Sequence, residues 1–263
     1  MSSPKKPRLL AEERRRKILE LVNVEERVTV ADLVVRFDVS AVTARADLDA
    51  LSRVGALVRS HGGAIGRFDP MQDYPLKFKE TLHHAEKVRI GQAAAQMVRP
   101  NQTLILDSGS TTEQVARQIK AMKLKSLTVI TNALNIAVQL ADTPSVSLIM
   151  VGGILRHVSQ SFVGPQAERM LQGLHADHFF LAVDGLDAAS GPSTPDILEA
   201  QLNSVMIDVA REVTIVADAS KFGRKSLSVI APMEKIHRII TDSRISPEVA
   251  AAVREGGTEL VIV

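Results

Sequence analysis

From Thr103 to the C-terminus the sequence returns seven times to a short apolar run: TLILD, LTVIT, VSLIMV, HFFLAVD, VTIVAD, HRIIT and ELVIV, alternating with segments of helical character. A strand with one wet face alternates apolar and polar residues, whereas these runs are apolar throughout. They therefore predict strands covered on both faces, in a largely parallel sheet with helices on either side. Hydrophobic residues make up 45% of the 263, and aromatic ones only 3%, so Leu, Ile, Val and Ala must build that core. Cysteine is absent, which excludes disulfides, thiolate metal sites and a cysteine nucleophile.

The first 67 residues read differently. Leu9 to Asn23 carries Ile18, Leu19, Leu21 and Val22 among charges, as a first helix would. In TVAD, Thr29 offers a capping hydroxyl with an acid three residues on, predicting a second helix that ends near Phe37. Ser40 can cap a third helix in which Ala44, Leu48 and Leu51 share a face, and Gly55 marks its stop. ALVRSHGGAIGRF then predicts a β-hairpin, a wing on a helix-turn-helix. DPMQDYP is the natural linker, so the expected organisation is 1–67, a linker at 68–75, and 76–263, the last opening with one long helix from Leu76 to Val98 that is the candidate coupling element. The N-terminal part holds 13 Lys and Arg against 9 Asp and Glu, the remainder 19 against 21, so a polyanion partner would be met by the first part. The N-terminus lacks the apolar stretch of a secretion signal, and no run is long enough to cross a bilayer, so a cytoplasmic protein without a membrane partner is expected.

In a helix-turn-helix the N-terminal end of the last helix enters the major groove. Ser40, Ala41, Thr43 and Arg45 lie there, while Arg53, Arg59, His61 and Arg67 are placed to reach phosphates from the helix end and the wing. The plainer reading is a small helical domain with solvated arginines. RRRKILELV and VTVADLVVRFDVSAVTARADLDALSRVGALVRSHGGA, however, resemble the N-terminal signature of DeoR-type bacterial transcriptional regulators. The resemblance implies a winged helix-turn-helix that binds operator DNA. Where that family commonly has T-I-R-R-D-L this chain has TARADL, so Ala44 thins the buried stripe and Ala46 withdraws a side chain from the DNA face.

LDSGSTTEQVA, Leu106 to Ala116, places a strand end, small hydroxylated residues and a helix start in succession. Such a turn gathers N–H groups and hydroxyls at the positive end of a helix dipole, and phosphate suits it. It lacks the lysine of a Walker loop and the spacing of the dinucleotide pattern. Thr131 and Asn132, GGILR, AVDGLD, GPSTPD and ADASKFG also fall at strand ends, the edge where open parallel sheets bind ligands. There Arg156 and Lys221 offer positive charge, and Asp107, Asp184 and Asn132 suit sugar hydroxyls. Residues 76–240 also resemble the effector domain of DeoR-type regulators, which is similar in fold to ribose-5-phosphate isomerase and glucosamine-6-phosphate deaminase and binds phosphorylated sugars. The resemblance implies a Rossmann-like α/β domain with phosphate on Ser108, Gly109, Ser110, Thr111 and Thr112. It brings Asn132, Gly152, Gly153, Arg156, Asp184, Thr194, Glu199 and Lys221 to the same pocket. LDSGSTT, SQSFVGPQAE and FLAVDGLD look most like the AgaR-like, amino-sugar branch.

The expected function is thus a repressor of a sugar or amino-sugar catabolic operon, relieved by a phosphorylated intermediate and assembled as a homodimer or homotetramer to match paired half-sites. The rival is a sugar-phosphate isomerase or deaminase using Asp107, Asp184, Asp187, Glu199 and Lys221 as acids and bases, but a metabolic isomerase has no use for a DNA reader. The scattered histidines His83, His84, His157, His175, His178 and His237 form no ligand set at metal spacing, so neither metal nor cofactor is expected.

Overall fold

A computed structural model describes residues 9–25, 27–54, 56–60, 62–65, 73–122 and 124–263. The chain divides into two compact units, Met1–Asp69 with Lys77–Leu82, and Pro70–Leu76 with His83–Val263.

In the first unit, α1 (Ala11–Glu25) leads through β1 (Arg27–Thr29) into α2 (Val30–Phe37) and α3 (Ala41–Arg53), followed by β2 (Val58–Ser60) and β3 (Gly63–Ile65). The start signals act as the local chemistry dictates. The Thr29 hydroxyl accepts from Asp32 N at 3.1 Å while the Asp32 carboxylate accepts from Thr29 N at 3.0 Å, a complete capping box. Ser40 Oγ accepts from Thr43 N at 3.1 Å and starts α3, whose Ala44, Leu48 and Leu51 are buried. The wing hairpin forms, with one addition: β1 pairs antiparallel with β3, giving the order β1-β3-β2. Three residues leave no periodicity to detect. Gly55, His61, Arg67 and the linker positions 68–72 lie outside the described residues.

The expected helix from Leu76 to Val98 is two: α4 (Leu76–Thr81) and α5 (His84–Gln96). Between them His83 adopts a left-handed backbone, φ 51°. No glycine or proline forecast the break. Tertiary contacts hold it: His83 Nδ1 is 2.9 Å from Arg244 Nη1, and its Nε2 is 4.0 Å from the buried Asp218.

The second unit continues with β4 (Thr103–Leu106), α6 (Ser110–Met122), β5 (Leu127–Thr131), α7 (Leu134–Leu140), β6 (Val146–Met150), β7 (Ile154–Arg156), β8 (Ser161–Val163) and α8 (Pro165–Leu171). Then come β9 (Ala176–Leu181), β10 (Gly185–Asp187), β11 (Gly191–Thr194), α9 (Ile197–Asp208), β12 (Ala210–Val216), β13 (Ser228–Val229), β14 (Arg238–Thr241), α10 (Pro247–Glu255) and β15 (Glu259–Ile262). All seven apolar runs enter one sheet, order β15-β14-β12-β9-β4-β5-β6, with every pairing parallel. Successive side chains serve opposite faces: Leu104 and Leu106 pack with Ile90, Ala94, Val115 and Ile136 of α5, α6 and α7, while Ile105 packs with Leu171, Leu202, Met206 and Val253 of α8, α9 and α10. Each fully buried Leu or Ile contributes about 1.5–3 kcal/mol of transfer free energy. VSLIMV and ELVIV depart from their expected double burial. As β6 and β15 they are the two edge strands, the first alternately exposed and the second exposed at both ends. The fold is a winged helix-turn-helix followed by an α/β domain around a parallel sheet.

The strand order reverses between β4 and β9. Outward from there the chain runs β4, β5, β6 one way and β9, β12, β14, β15 the other. Connections above adjacent strands depart in opposite directions at that point, opening a crevice at their C-terminal ends. Asp107 follows β4 directly, and Ala182 follows β9.

Candidate functional site

In the first unit, α3 presents Arg45 exposed, with Ala41 and Thr43 partly so, beside a capped N-terminus. A cleft of about 220 Å³ borders this end, lined by Leu9, Arg14, Phe37, Val39, Ser40 and Thr43. Arg53 is exposed and its Nε donates to Asp49 O at 3.4 Å. Arg59 is tied down: its Nη1 donates to Gly63 O at 2.7 Å and its Nε lies 2.9 Å from Asp49 Oδ1. The first bond closes the wing on itself, and the second fastens it to α3. Sequence reasoning missed Asp47. Buried on the inner face of α3, it receives Arg14 Nε at 2.5 Å and Arg15 Nε at 2.9 Å, clamping α1 to α3.

In the second unit, the turn from Asp107 to Ser110 sits over the point of strand reversal. Both Asp107 carboxylate oxygens lie 3.0 Å from Ala182 N, so its side chain bridges the diverging strands. Burial pushes its pKa well above the usual carboxylate range, the Ala182 N–H opposes that, and the charges of Glu199 and Asp184 add to it. Gly109 is required by space, since a Cβ there would lie 2.4 Å from Ala182 Cβ. Thr112 Oγ1 lies 3.0 Å from the carbonyls of both Asp107 and Gly109 and turns its hydroxyl into the loop. Ser110 and Thr111, also buried, begin α6. What faces outward is the positive end of a thirteen-residue helix.

Beside the turn a polar network runs from one connection to the next. Glu199, in the first turn of α9, accepts from Ser161 Oγ at 2.8 Å and Ser108 Oγ at 3.4 Å, and from Thr194 Oγ1 at 3.4 Å on its other oxygen. Thr194 Oγ1 is also 3.4 Å from Asp184, which pairs with Lys221 Nζ at 3.5 Å. Lys221 also faces Asp218: burial alone would raise that acid, yet Lys87, Lys221 and His83 hold it at about 2. Arg156 meets three carboxylates, Glu199 at 2.7 Å, Asp196 at 3.2 Å and Asp73, besides Ser159 Oγ at 2.7 Å. Burial works against its charge, but those acids hold its pKa above the ordinary value.

The structure therefore brings Asp107, Ser108, Asp184, Thr194, Glu199, Arg156 and Lys221 into one connected cluster. Asn132 stands at its edge, its Nδ2 donating to Phe162 O at 3.0 Å and its buried Oδ1 unpaired. Gly153 is fixed by packing, because a Cβ would meet Val163 O at 2.5 Å. Gly152 instead turns its N–H to Met170 Sδ at 3.3 Å. The two expected cations are occupied, so an anion here would be held chiefly by amides and hydroxyls of the turn. Asp73, Ser159, Ser161, Asp196, Lys87 and Asp218 complete the arrangement and were not singled out in sequence. Among the described residues no group of three or more His, Asp or Glu is placed to hold a metal, and no helix is long and apolar enough to cross a membrane.

The DeoR-like helix-turn-helix domain matches residues 14–66, and the DeoR C terminal sensor domain matches residues 82–243. The chain belongs to the DeoR family of transcriptional regulators. It is 38% identical to a protein of Escherichia coli O157:H7 provisionally named the aga operon transcriptional repressor, over 95% of this chain and 93% of that one. It is 35% identical to the transcriptional repressor AccR of Agrobacterium fabrum, over 88% of this chain and 90% of the relative. The lactose phosphotransferase system repressor of Lactococcus lactis is 29% identical over 88% and 94%. Ribose 5-phosphate isomerase A of Neisseria gonorrhoeae aligns with a TM-score of 0.39 at 12% identity, over 55% of this chain and 54% of its own, too slight a likeness to bear on function. As a DeoR regulator this chain is a DNA-binding protein and not an enzyme.

Proposed function

We propose that this regulator represses a sugar or amino-sugar catabolic operon in the cytoplasm and is released by a phosphorylated sugar of that pathway. In this reading residues 1–67 are the DNA head and 76–263 the effector domain, joined by 68–75. The observation that carries it is the turn Asp107 to Thr112, set where the strand order reverses and backed by the N-terminus of α6. The phosphate rests on the amides of Ser108 to Thr112 and the hydroxyls of Ser108, Ser110 and Thr111, and the sugar hydroxyls reach Asn132, Asp184, Thr194 and Glu199. Acids outnumber cations in the surrounding cluster, which favours a ligand bearing an ammonium as well as a phosphate. The E. coli relative named for the aga operon supports the amino-sugar assignment. Ser40, Ala41, Thr43 and Arg45 read the major groove, and Arg53, with the hairpin, touches phosphates. A homodimer or homotetramer pairs the heads with repeated half-sites.

The test is a melting-temperature screen with galactosamine 6-phosphate, N-acetylgalactosamine 6-phosphate, fructose 6-phosphate and inorganic phosphate, repeated with operator present. A hexosamine phosphate is expected to stabilise the free protein and weaken DNA binding by about 5–150-fold, the usual span of coupling between sites. Ser110→Asp puts a carboxylate into the cradle and yields a repressor that no longer responds. Retained response in that variant places the anion elsewhere.

A further inference from the structure

We propose that Val42 is a specificity-determining residue of the DNA head, meeting the C5-methyl group of a thymine, given the reading above that the N-terminal end of α3 enters the major groove. Burial along α3 defines two faces. Ala44, Asp47, Leu48 and Leu51 are buried. Val42, Arg45, Ala46, Asp49 and Arg53 are exposed and share one stripe down the opposite side of the helix. Val42 opens that stripe and is 74% exposed. The hydroxyls on either side of it are engaged elsewhere. Ser40 Oγ lies 2.9 Å from Thr43 Oγ1 and accepts from Thr43 N at 3.1 Å, and both residues line the cleft shared with Leu9, Arg14, Phe37 and Val39. Asp49 is held against the wing, its Oδ1 2.9 Å from Arg59 Nε. The N-terminal half of the outer face therefore offers one guanidinium, Arg45, flanked by two apolar side chains, Val42 and Ala46.

Water alone gives no reason for this valine. A β-branched side chain loses χ1 freedom in a helix, and at so exposed a position little packing offsets the loss. The same stiffness favours contact. With essentially one rotamer open to it, Val42 is presented already ordered, so docking costs little side-chain entropy. Thymine alone of the four bases carries a methyl group at the edge of the major groove, and apolar side chains are what that methyl meets. Val35 is as exposed but lies on α2, the helix that crosses the backbone in this motif, where phosphates and not methyls face the protein. Val42 and Arg45 are separated by about 4.5 Å of helical rise, close to the ~3.4 Å between successive base pairs, which puts the thymine about one or two pairs from a guanine taken by Arg45.

The experiment uses wild type and Val42→Ala, as full chains, each to select duplexes from a random-sequence pool. Wild type is expected to enrich a thymine beside a guanine, and the variant to keep the guanine and lose the preference for thymine. On the duplex that wild type selects, deoxyuridine in place of that thymidine removes the methyl group and nothing else. It is expected to weaken wild-type binding about fourfold for each methyl removed, the worth of burying one such group, and to leave Val42→Ala within about 1.5-fold of its own affinity for the unmodified duplex. Val42→Ile keeps the methyl effect. Each protein is compared with itself on two duplexes, so a change in folded fraction cancels. No thymine beside the enriched guanine, no loss on deoxyuridine in wild type, or an equal loss in Val42→Ala overturns the assignment to Val42 and leaves α3 as the groove helix. A wild type that enriches no sequence overturns both.

Discussion

The arginine–carboxylate nodes at Asp47 in the head and at Arg156 at the sheet edge have opposite stoichiometries. In the head two arginines share one carboxylate, Asp47; the acid and Arg14 are largely enclosed, and Arg15 is the more exposed cation. At the sheet edge one guanidinium, Arg156, serves three carboxylates. The second head cation, Arg15, costs little, because water solvates it, whereas Arg14 depends on Asp47. Surplus anion around one half-buried cation leaves acids in mutual repulsion, and any further anion shifts the balance. The head node ties α1 to α3, and the sheet-edge node ties Asp73, β7 and the start of α9 together.

The sharpest way to break the comparison is to remove the centre of each node. Asp47→Ala strands two arginines and is expected to cost about 3–5 kcal/mol, the range for breaking a buried pair, seen as early melting of the head and loss of DNA binding at every pH. Little loss would make the clamp ornamental. Acidification sets a background for the second node. Burial lowers the His178 pKa from 6.5 to about 4, with Nε2 2.7 Å from Thr214 Oγ1. The unfolded chain therefore binds the extra proton first, so this group's stabilisation is complete above pH 6.5 and falls by about 3 kcal/mol as pH drops toward 4. Denaturant titrations at stepped pH measure that slope, and His178→Asn flattens it. Arg156→Met leaves three acids without their cation, a loss of about 2 kcal/mol once partial exposure is allowed for, and one that shrinks on acidification as the acids take up protons. A loss that grows toward low pH, beyond the His178 background, removes the surplus-anion description. Smallest is Arg45→Ala, expected to weaken operator binding by about 1–3 kcal/mol with effector binding untouched. Equal affinity would take Arg45 out of the reading face.

What could be read from the sequence follows the range of the interactions involved. Thr29 with Asp32 and Ser40 with Thr43 act over three residues, so both helix starts were visible. The five inner strands were visible because double burial requires unbroken apolar runs. LDSGSTT was visible because strand, small residues and helix succeed one another. Nothing local joins Asp73 to Arg156, 83 residues away, or Ser161 to Glu199, 38 away, so the node that neutralises Arg156 could not be foreseen. The break at His83 was hidden for the same reason, being held by Arg244 from far along the chain. For β6 and β15, apolar composition alone did not reveal an edge position.

The central pairing of the sheet has a consequence during synthesis. β4 pairs with β9 at Leu104–Leu106 against His178–Phe180, and β9 in turn needs β12. At roughly 5–20 residues per second, about eight to thirty seconds separate emergence of the wing from that of the last of these strands. A nascent chain thus displays its DNA reader well before its own sensor can close, and the ribosome holds a half-made regulator that no metabolite can yet address.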